Sequence, residues 1–367
     1  MQGRLFVFIF FSSFLLLITG ISVFNYKMDS NHPYSRLQVL ECASDDLLSG
    51  KIIAGIENYN DRYLQKLVIK KMKGVPDTIA IGSSRTMLLR ASYIGLDQGS
   101  FFNHSVAYAL LKDHIAILGS YKRKGAFPKT IILGVDPWLF DKKSETALYS
   151  ERWKSLFSDY YYLLTFIKGD ISTLKVLYEH VQNKVSKAKK LLSYRYTIAN
   201  YELFLGKKGN NYRVVKNTSV DAYLKMPDGS IYYPFKVRFR DDSITQEKSQ
   251  NVLEAIKSYI FQLSFQETFI SLIDYILNSG TQVIFFLHPY HPNTYQEISR
   301  KKELQFVVKI EEMLRSLAKS RNIPVIGSYD PSSFNFSSRD FFDGAHAHDY
   351  AVKEIFKGYR QVAGADN

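Results

Sequence analysis

The sequence predicts an α/β protein with a doubly wound, mainly parallel five-stranded sheet, an α+β insertion and an N-terminal transmembrane helix. Five short runs of β-branched and aromatic residues are typical of strands that are buried on both faces. Helical stretches lie between several of these runs, and this alternation favours parallel strands joined by right-handed crossovers. The chain has 367 residues, of which 46% are hydrophobic, so it can bury one large core or two modest ones.

The first element is the uncharged run Leu5–Phe24. It matches the roughly 20 residues that a helix needs to cross a bilayer core, and no small-x-small cleavage site accompanies it. We therefore expect residues 1–29 to be an uncleaved membrane anchor. Arg4 flanks one side of the run, and Lys27 and Asp29 flank the other. The positive-inside rule then predicts a single-pass protein of the cytoplasmic (inner) membrane, with the bulk of the chain on the periplasmic side.

Strands and helices then alternate in two parts of one α/β domain, residues 30–140 and 249–367. Gly280 is a candidate cap for the helix that precedes the fourth strand. The predicted strands span 77–83, 101–107, 130–136, 282–288 and 323–329. The predicted helical stretches lie in 109–122, 250–280, 303–322 and about 347–361.

Residues 141–248 interrupt this alternation, and we expect them to form a cap or side lobe that is helical first and then irregular and β. Asp228-Gly229 lies between two extended runs, which predicts a hairpin. Residues 151–240 carry 17 Lys and Arg against 7 Asp and Glu, an excess of ten positive charges, and eleven tyrosines. Such a surface can bind an anionic polysaccharide or anionic lipid, or it can simply be a solvated face. The expected extracytoplasmic location argues against nucleic acid as a partner.

Polar residues follow the predicted strands, at the edge of the sheet where α/β proteins bind ligands. "GSSRT" (82–86) follows the first strand and offers Ser84 as a nucleophile, although a serine here can also serve only as a helix cap. "DGAH" (343–346) follows the fifth strand and sets Asp343 three residues before His346. At a helix start these two side chains would face the same way, so the carboxylate could orient an imidazole that takes a proton from a serine.

These motifs resemble those of the SGNH (GDSL-like) hydrolase superfamily, and more closely its membrane-anchored branch, which includes the proteins of alginate O-acetylation and teichoic-acid D-alanylation. The resemblance covers 77–136 and 282–361, and it implies a flavodoxin-like fold. It further implies that Ser84 is the nucleophile, His346 the general base and Asp343 the orienting acid. The implied partners are a cell-envelope polysaccharide and a membrane-bound acyl-donor protein.

The chain departs from the superfamily pattern in its second and third blocks. Where the family has an oxyanion glycine, the nearest match is Ser105, and where it has an asparagine, "GVDP" has Asp136. A carboxylate would repel an oxyanion unless it were protonated or turned away, so Asn103 is a substitute candidate. His288 and His291 in "HPYHP" are expected to form a wall of the substrate cleft.

No cofactor and no metal are expected. The prolines of "HPYHP" indicate a rigid turn more than a ligand helix, and no further carboxylate ligand is evident. Cys42 is the only cysteine, which excludes disulfides and a cysteine-rich metal site.

Two hypotheses follow from the sequence. The first is a carbohydrate esterase or O-acyl(acetyl)transferase with a Ser-His-Asp triad. The second is a catalytically inactive scaffold or glycan-binding subunit that has kept the fold, and Asp136 is its main support. The separation of Ser84 Oγ from the His346 ring distinguishes them, since a catalytic pair must lie within hydrogen-bond reach.

Overall fold

The structure is a computed structural model that describes residues 2–28, 37–56, 59–142, 153–169, 191–205, 212–239 and 242–358. Its strands are β1 Ile52–Ala54, β2 Thr78–Ile81, β3 Phe101–Asn103, β4 Thr130–Gly134, β5 Arg213–Val215, β6 Leu224–Lys225, β7 Ile231–Tyr232, β8 Gln282–Leu287 and β9 Val325–Gly327. Its α-helices are α1 Gln2–Met28, α2 Leu37–Leu48, α3 Asp61–Lys71, α4 Leu111–Lys124, α5 Phe157–Lys168, α6 Tyr194–Phe204, α7 Phe235–Arg238, α8 Asp242–Lys257, α9 Leu263–Asn278, α10 Pro292–Arg300, α11 Phe306–Ser320 and α12 Asp349–Ile355.

The central sheet has five strands in the order β3-β2-β4-β8-β9, and every neighbouring pair is parallel. Each of the five predicted runs contains one of these strands, so the prediction of an α/β protein with a five-stranded parallel sheet is confirmed. Both faces of the sheet are buried. Phe285 and Phe286 show this, because they are adjacent in β8 and fully buried in two different cores.

The two faces of the sheet are covered differently. The larger core packs the sheet against apolar residues of α4, α5, α9 and α11. The opposite core packs it against the short turns that follow β2 and against α7 and α12.

The predicted helices at 109–122 and 303–322 are confirmed within a few residues. The stretch 250–280 contains α8 and α9, but α8 begins at Asp242, eight residues earlier and within the predicted insertion. The predicted last helix contains α12, which ends at Ile355, and residues 359–361 lie outside the described residues. Gly280 adopts the left-handed conformation (φ 78°) just beyond the end of α9.

A second, antiparallel sheet has the strand order β5-β1-β6-β7. The predicted hairpin is confirmed, since β6 pairs with β7 across a turn in which Gly229 has φ 78°. The pairing of β1 with β5 and β6 is new, because the sequence analysis assigned no strand to residues 52–54. Strands β5, β6 and β7 of the predicted insertion therefore share a sheet with β1, which precedes the first strand of the central sheet.

The N-terminal helix α1 is long and apolar enough to cross a membrane, with a mean hydropathy of 2.4 in its most apolar window. The side chains of that window are not buried against the rest of the protein. This composition and exposure fit a single-pass membrane anchor.

Candidate active site

The turn after β2 presents Ser84 at the carboxyl edge of the central sheet. No α-helix follows that Ser84 could cap, because the chain continues into a single 3₁₀ turn at Thr86–Leu88. Ser83 is buried, and its hydroxyl accepts a hydrogen bond from the Arg85 backbone N–H at 3.2 Å. Ser83 therefore stabilises the turn through its side chain, as a capping serine would. The Ser84 hydroxyl can then form a hydrogen bond with another residue.

That partner is His346, which lies 262 positions further along the chain. Ser84 Oγ lies 2.8 Å from His346 Nε2. On the other side of the ring, Nδ1 lies 3.0 Å and 2.9 Å from the two carboxylate oxygens of Asp343. With Nδ1 protonated, the ring donates to the carboxylate and Nε2 accepts the serine proton.

Asp343 and His346 lie in the loop before α12, which begins only at Asp349, so the expectation that they start a helix is wrong. An Asx-type turn brings them together instead. Asp343 Oδ1 accepts the backbone N–H groups of Ala345 and His346, each at 2.8 Å. The His346 ring is also stacked on Phe342, with ring centroids 5.4 Å apart and planes 14° apart. These contacts fix the imidazole in one orientation.

Electrostatics keep the Asp343 carboxyl ionised. Burial acts to raise its pKa, but the charge of His346, its hydrogen bond and the two backbone N–H groups outweigh burial and hold the pKa below its usual value. Asp343 therefore acts as an acceptor that orients and stabilises the imidazolium form of His346.

Arg85 follows the candidate nucleophile and joins three of the loops at this edge. Its guanidinium is buried and bonds Asp136 Oδ1 at 2.9 Å in the loop after β4. It also donates to the carbonyls of His288 and Pro289 after β8, the latter at 2.8 Å, and lies over the ring of Tyr290 at 4.3 Å. Asp136 thus forms a buried ion pair, which neutralises the carboxylate that the sequence analysis placed beside the oxyanion.

The turn after β2 that carries Ser84 is called the serine turn below. Thr86 lies beneath it and fills the space between β2, β4 and β8. A Cβ on either Gly82 or Gly134 would clash with its hydroxyl, so both glycines are required for packing. The Thr86 hydroxyl lies 3.0 Å from His288 Nε2. Burial, and then the charges of Arg85 and His346, lower the pKa of His288 well below its usual value, so this imidazole is neutral.

His291 supports the loop that carries Asp343 and His346. Its Nδ1 accepts the Asn293 N–H at 3.2 Å at the start of α10, and its backbone N–H bonds the Gly344 carbonyl at 3.2 Å. His288 and His291 thus belong to the packing under and beside the triad, and neither ring forms an open cleft wall, since both are buried. Within the residues that the structure describes, no group of three or more His, Cys, Asp or Glu side chains could hold a metal ion.

Asn103 does not supply a free oxyanion donor and the Ser105 backbone N–H is also used, whereas the buried Ser105 hydroxyl has no hydrogen-bond partner among the described residues. The Asn103 amide donates to the carbonyls of Thr86 at 2.8 Å and Leu89 at 2.9 Å, which uses both of its N–H bonds. Its side-chain oxygen accepts the Ser105 N–H at 3.0 Å. Asn103 therefore holds the serine turn in shape. The Ser84 backbone N–H has no acceptor among the described residues either, so this N–H and the Ser105 hydroxyl are the candidate oxyanion donors.

An aromatic stack lies on the loops that flank the serine turn. The Tyr108 ring is 52% exposed and lies parallel to the buried ring of Trp138, with centroids 5.5 Å apart and planes 7° apart. Trp138 is fixed by its indole N–H, which donates to the Ala109 carbonyl at 2.9 Å. Tyr108 is one of three described non-glycine residues with positive φ (49°). The outer face of Tyr108 is therefore a flat, rigid surface.

Arg85, Thr86 and the Tyr108–Trp138 stack were not predicted from the sequence. A signal existed for Arg85, since it and Asp136 have opposite charges and follow neighbouring strands of one parallel sheet. No signal marked Thr86, because the need for space at Gly82 and Gly134 appears only when three strands are brought together.

The fold and the site define an α/β protein with a Ser-His-Asp hydrogen-bond relay at the carboxyl edge of a parallel sheet. No protein-family profile matches the chain, and no curated protein matches it significantly.

Proposed function

We propose that the protein is a membrane-anchored, extracytoplasmic serine esterase or O-acyl(acetyl)transferase that acts on a cell-envelope polysaccharide. The observation that carries the proposal is the continuous relay from Ser84 Oγ through the His346 ring to the Asp343 carboxylate. A hydroxyl, an imidazole and a carboxylate in this order are the groups that acyl transfer through a serine requires.

In the proposed reaction, His346 Nε2 removes the Ser84 proton while Oγ attacks the acyl carbonyl. The Ser84 N–H stabilises the resulting oxyanion. The tetrahedral intermediate collapses as His346 returns the proton to the departing alkoxide, which leaves as an alcohol and yields an acyl-serine. Water or a sugar hydroxyl, deprotonated by His346, then attacks the acyl-serine and regenerates free Ser84.

The architecture supports a place in the SGNH superfamily. Numbered within the central sheet alone, the strand order is 2-1-3-4-5, the flavodoxin-like order. The nucleophile follows the first of these strands, and the acid and base follow the fifth. The N-terminal helix α1 supports attachment to a membrane, and the Tyr108 ring is a suitable platform for a pyranose ring of a polymeric substrate.

The alternative, an inactive glycan-binding scaffold, draws on Asp136, which stands where the superfamily has an asparagine donor. The ion pair with Arg85 weakens this argument, because a neutralised carboxylate need not oppose an oxyanion. The serine–imidazole contact favours the enzyme.

Covalent labelling tests the proposal. The full-length protein in detergent is incubated with a chromogenic acetyl ester, quenched in acid and analysed by intact-mass and peptide spectrometry. We expect one acetyl group on Ser84 and none in Ser84→Ala. Adding a soluble polysaccharide should speed release of the acetyl group if the protein is a transferase. Absence of both an adduct and hydrolysis would leave the scaffold as the better explanation.

A further inference from the structure

Helix α6 packs beside the C-terminal end of the membrane helix α1. The fully buried Asn25 in α1 donates to the Leu191 carbonyl at 2.7 Å and to the Thr197 hydroxyl at 2.8 Å. Its side-chain oxygen accepts a bond from the Asn200 amide at 2.8 Å. The rings of Phe24 and Phe204 meet edge to face, with centroids 6.3 Å apart. One face of α6 is therefore fixed to α1 by polar and aromatic contacts.

The position of this contact along α1 sets the depth of α6 relative to a bilayer. Asn25 directly follows the uncharged run Leu5–Phe24. A run of this length fills the hydrocarbon core, so Asn25 lies where the core gives way to headgroups. A helix bonded to Asn25 is held at that same boundary.

The neighbouring face of α6 is apolar and exposed. Tyr194, Ile198, Tyr201 and Leu205 are spaced by four, three and four residues, which places them on one side of the helix. Each is between 41% and 78% exposed. Leu192 and Phe204 extend the patch, with exposures of 54% and 63%. These side chains form the exposed apolar stripe of α6. Its exposure to water costs free energy, since apolar side chains of this size gain about 1.5–3 kcal/mol each on burial.

Positive charge surrounds the stripe in the sequence. "NKVSKAKK" (183–190) precedes α6 and "GKKGNN" (206–211) follows it, and both lie outside the described residues. Arg213 and Lys216 continue this excess and are exposed. Tyrosines beside an apolar face, with lysines on the flanks, are typical of segments at a membrane–water interface.

We propose that the exposed stripe of α6 lies in the headgroup–acyl boundary of the bilayer that α1 crosses, with Arg213 and Lys216 close to anionic headgroups. The domain is then held at the membrane at two points, and α6 fixes the angle at which it stands over the surface. The proposal needs no catalytic activity, so it does not depend on the function proposed above. Binding to anionic lipid is thus the role proposed for Arg213 and Lys216. It is one of the alternatives that the sequence left open for the basic surface.

Spin-label accessibility tests this proposal on the full chain. Single cysteines are introduced at Ile198 and Tyr201 in a Cys42→Ser background, labelled, and reconstituted in nanodiscs of phosphatidylethanolamine and phosphatidylglycerol. Leu15 on α1, which is 66% exposed, is the membrane control, and Tyr350 on α12, which is 52% exposed, is the aqueous control. We expect the oxygen-to-NiEDDA accessibility ratio at 198 and 201 to exceed that at 350 several-fold and to approach that at 15.

Two outcomes would overturn the proposal. A ratio at 198 and 201 equal to that at 350 means that the stripe faces water. Protection from both reagents means that protein, either this chain or a second copy, covers the stripe in place of lipid. Tyr194→Glu/Ile198→Glu provides a second measurement, because it should shift a label at 201 to the aqueous ratio while an unchanged melting temperature shows that the domain remains folded.

Discussion

A serine hydroxyl is a weak nucleophile until a base takes its proton, so the contact between Ser84 and His346 is the residue-scale feature on which activity depends. Ser83, one position earlier, has the same hydroxyl, but that hydroxyl already accepts a hydrogen bond from the Arg85 backbone N–H. The two serines therefore form a natural matched pair, identical in chemistry and different in surroundings.

We expect Ser84→Ala and His346→Ala each to lower acetyl-ester turnover by at least about 10³-fold, and the double variant to be little worse than either, because the groups act as one unit. Ser83→Ala should keep most of its turnover and lose about 0.5–1.5 kcal/mol of stability with its hydrogen bond. Steady-state hydrolysis and chemical denaturation measure both effects. An active Ser84→Ala or an inactive, folded Ser83→Ala would contradict the assignment of the nucleophile.

Asp343 should affect both rate and acid stability. Asp343→Asn is expected to lower turnover about 10³–10⁴-fold, because an amide cannot hold the imidazole in the required tautomer. Since the folded pKa of Asp343 is depressed, its stabilising contribution is complete above its unfolded pKa of about 3.9 and declines as the pH falls toward the lower folded value. The melting temperatures of the parent and Asp343→Asn should differ at pH 6 and begin to converge only as the pH falls below about 4. A difference that stays constant with pH would contradict this.

At the scale of elements, the Arg85–Asp136 pair connects the ends of β2, β4 and β8. Arg85→Ala should cost about 3–5 kcal/mol, because it leaves Asp136 buried without a counter-charge. Arg85→Met/Asp136→Leu removes both charges and should regain most of that stability but not the turnover, since the serine turn is no longer tied to its neighbours. Denaturation and kinetics on the same samples separate the two effects, and a double variant with full turnover would show that the pair serves folding alone.

The Tyr108–Trp138 stack should contribute to the binding of a polymer and not to chemistry. Tyr108→Ala is expected to raise the KM for an acetylated polysaccharide several-fold and leave turnover of a small acetyl ester unchanged, which is the sign of lost remote binding. Tyr108→Phe keeps the ring and should behave like the parent. Equal losses on both substrates would mean that the ring only supports the loop.

The elements that could be predicted were those with a local signal. The five parallel strands were predictable because each is a short, continuous apolar run, and the 228–229 hairpin because Asp-Gly favours that turn. β1 has three residues and pairs with strands more than 150 positions away, so no local pattern marks it. Asp343 and His346 could be grouped by spacing, but their turn could not, because it depends on the Asp343 carboxylate accepting two backbone N–H groups.

At the scale of the whole molecule, several histidines are buried in an uncharged form. Burial, and then the charge of Lys225, lower the pKa of His104 to about 3, and its ring bonds Gln65 and Tyr121. The pKa values of His114 and His288 are also lowered, mainly by burial. In the unfolded chain these groups take up protons below about pH 6.5, so acidification favours unfolding.

We expect the free energy of unfolding to fall as the pH drops from about 6.5 toward 4, before most carboxylates titrate. His104 alone should contribute on the order of 2 kcal/mol of loss between pH 6.5 and pH 5. His104→Gln, which cannot titrate, should flatten the pH profile by about that amount. Thermal melts of both proteins in detergent across this range measure it, and parallel profiles would refute the explanation.

The packing of Thr86 between Gly82 and Gly134 also bears on how distant homologues of this chain could be recognised. A larger residue at 82 or 134 would clash with the Thr86 side chain, and at 134 with the His288 ring as well, so neither glycine can change unless these neighbours change with it. Distant homologues that overall sequence similarity does not detect should still carry the equivalents of Gly82, Thr86 and Gly134. They should carry them together with the equivalents of Ser84, Asp343 and His346. A search for that spaced signature, with the intervening residues left free, is the route by which the lineage of this chain can be traced.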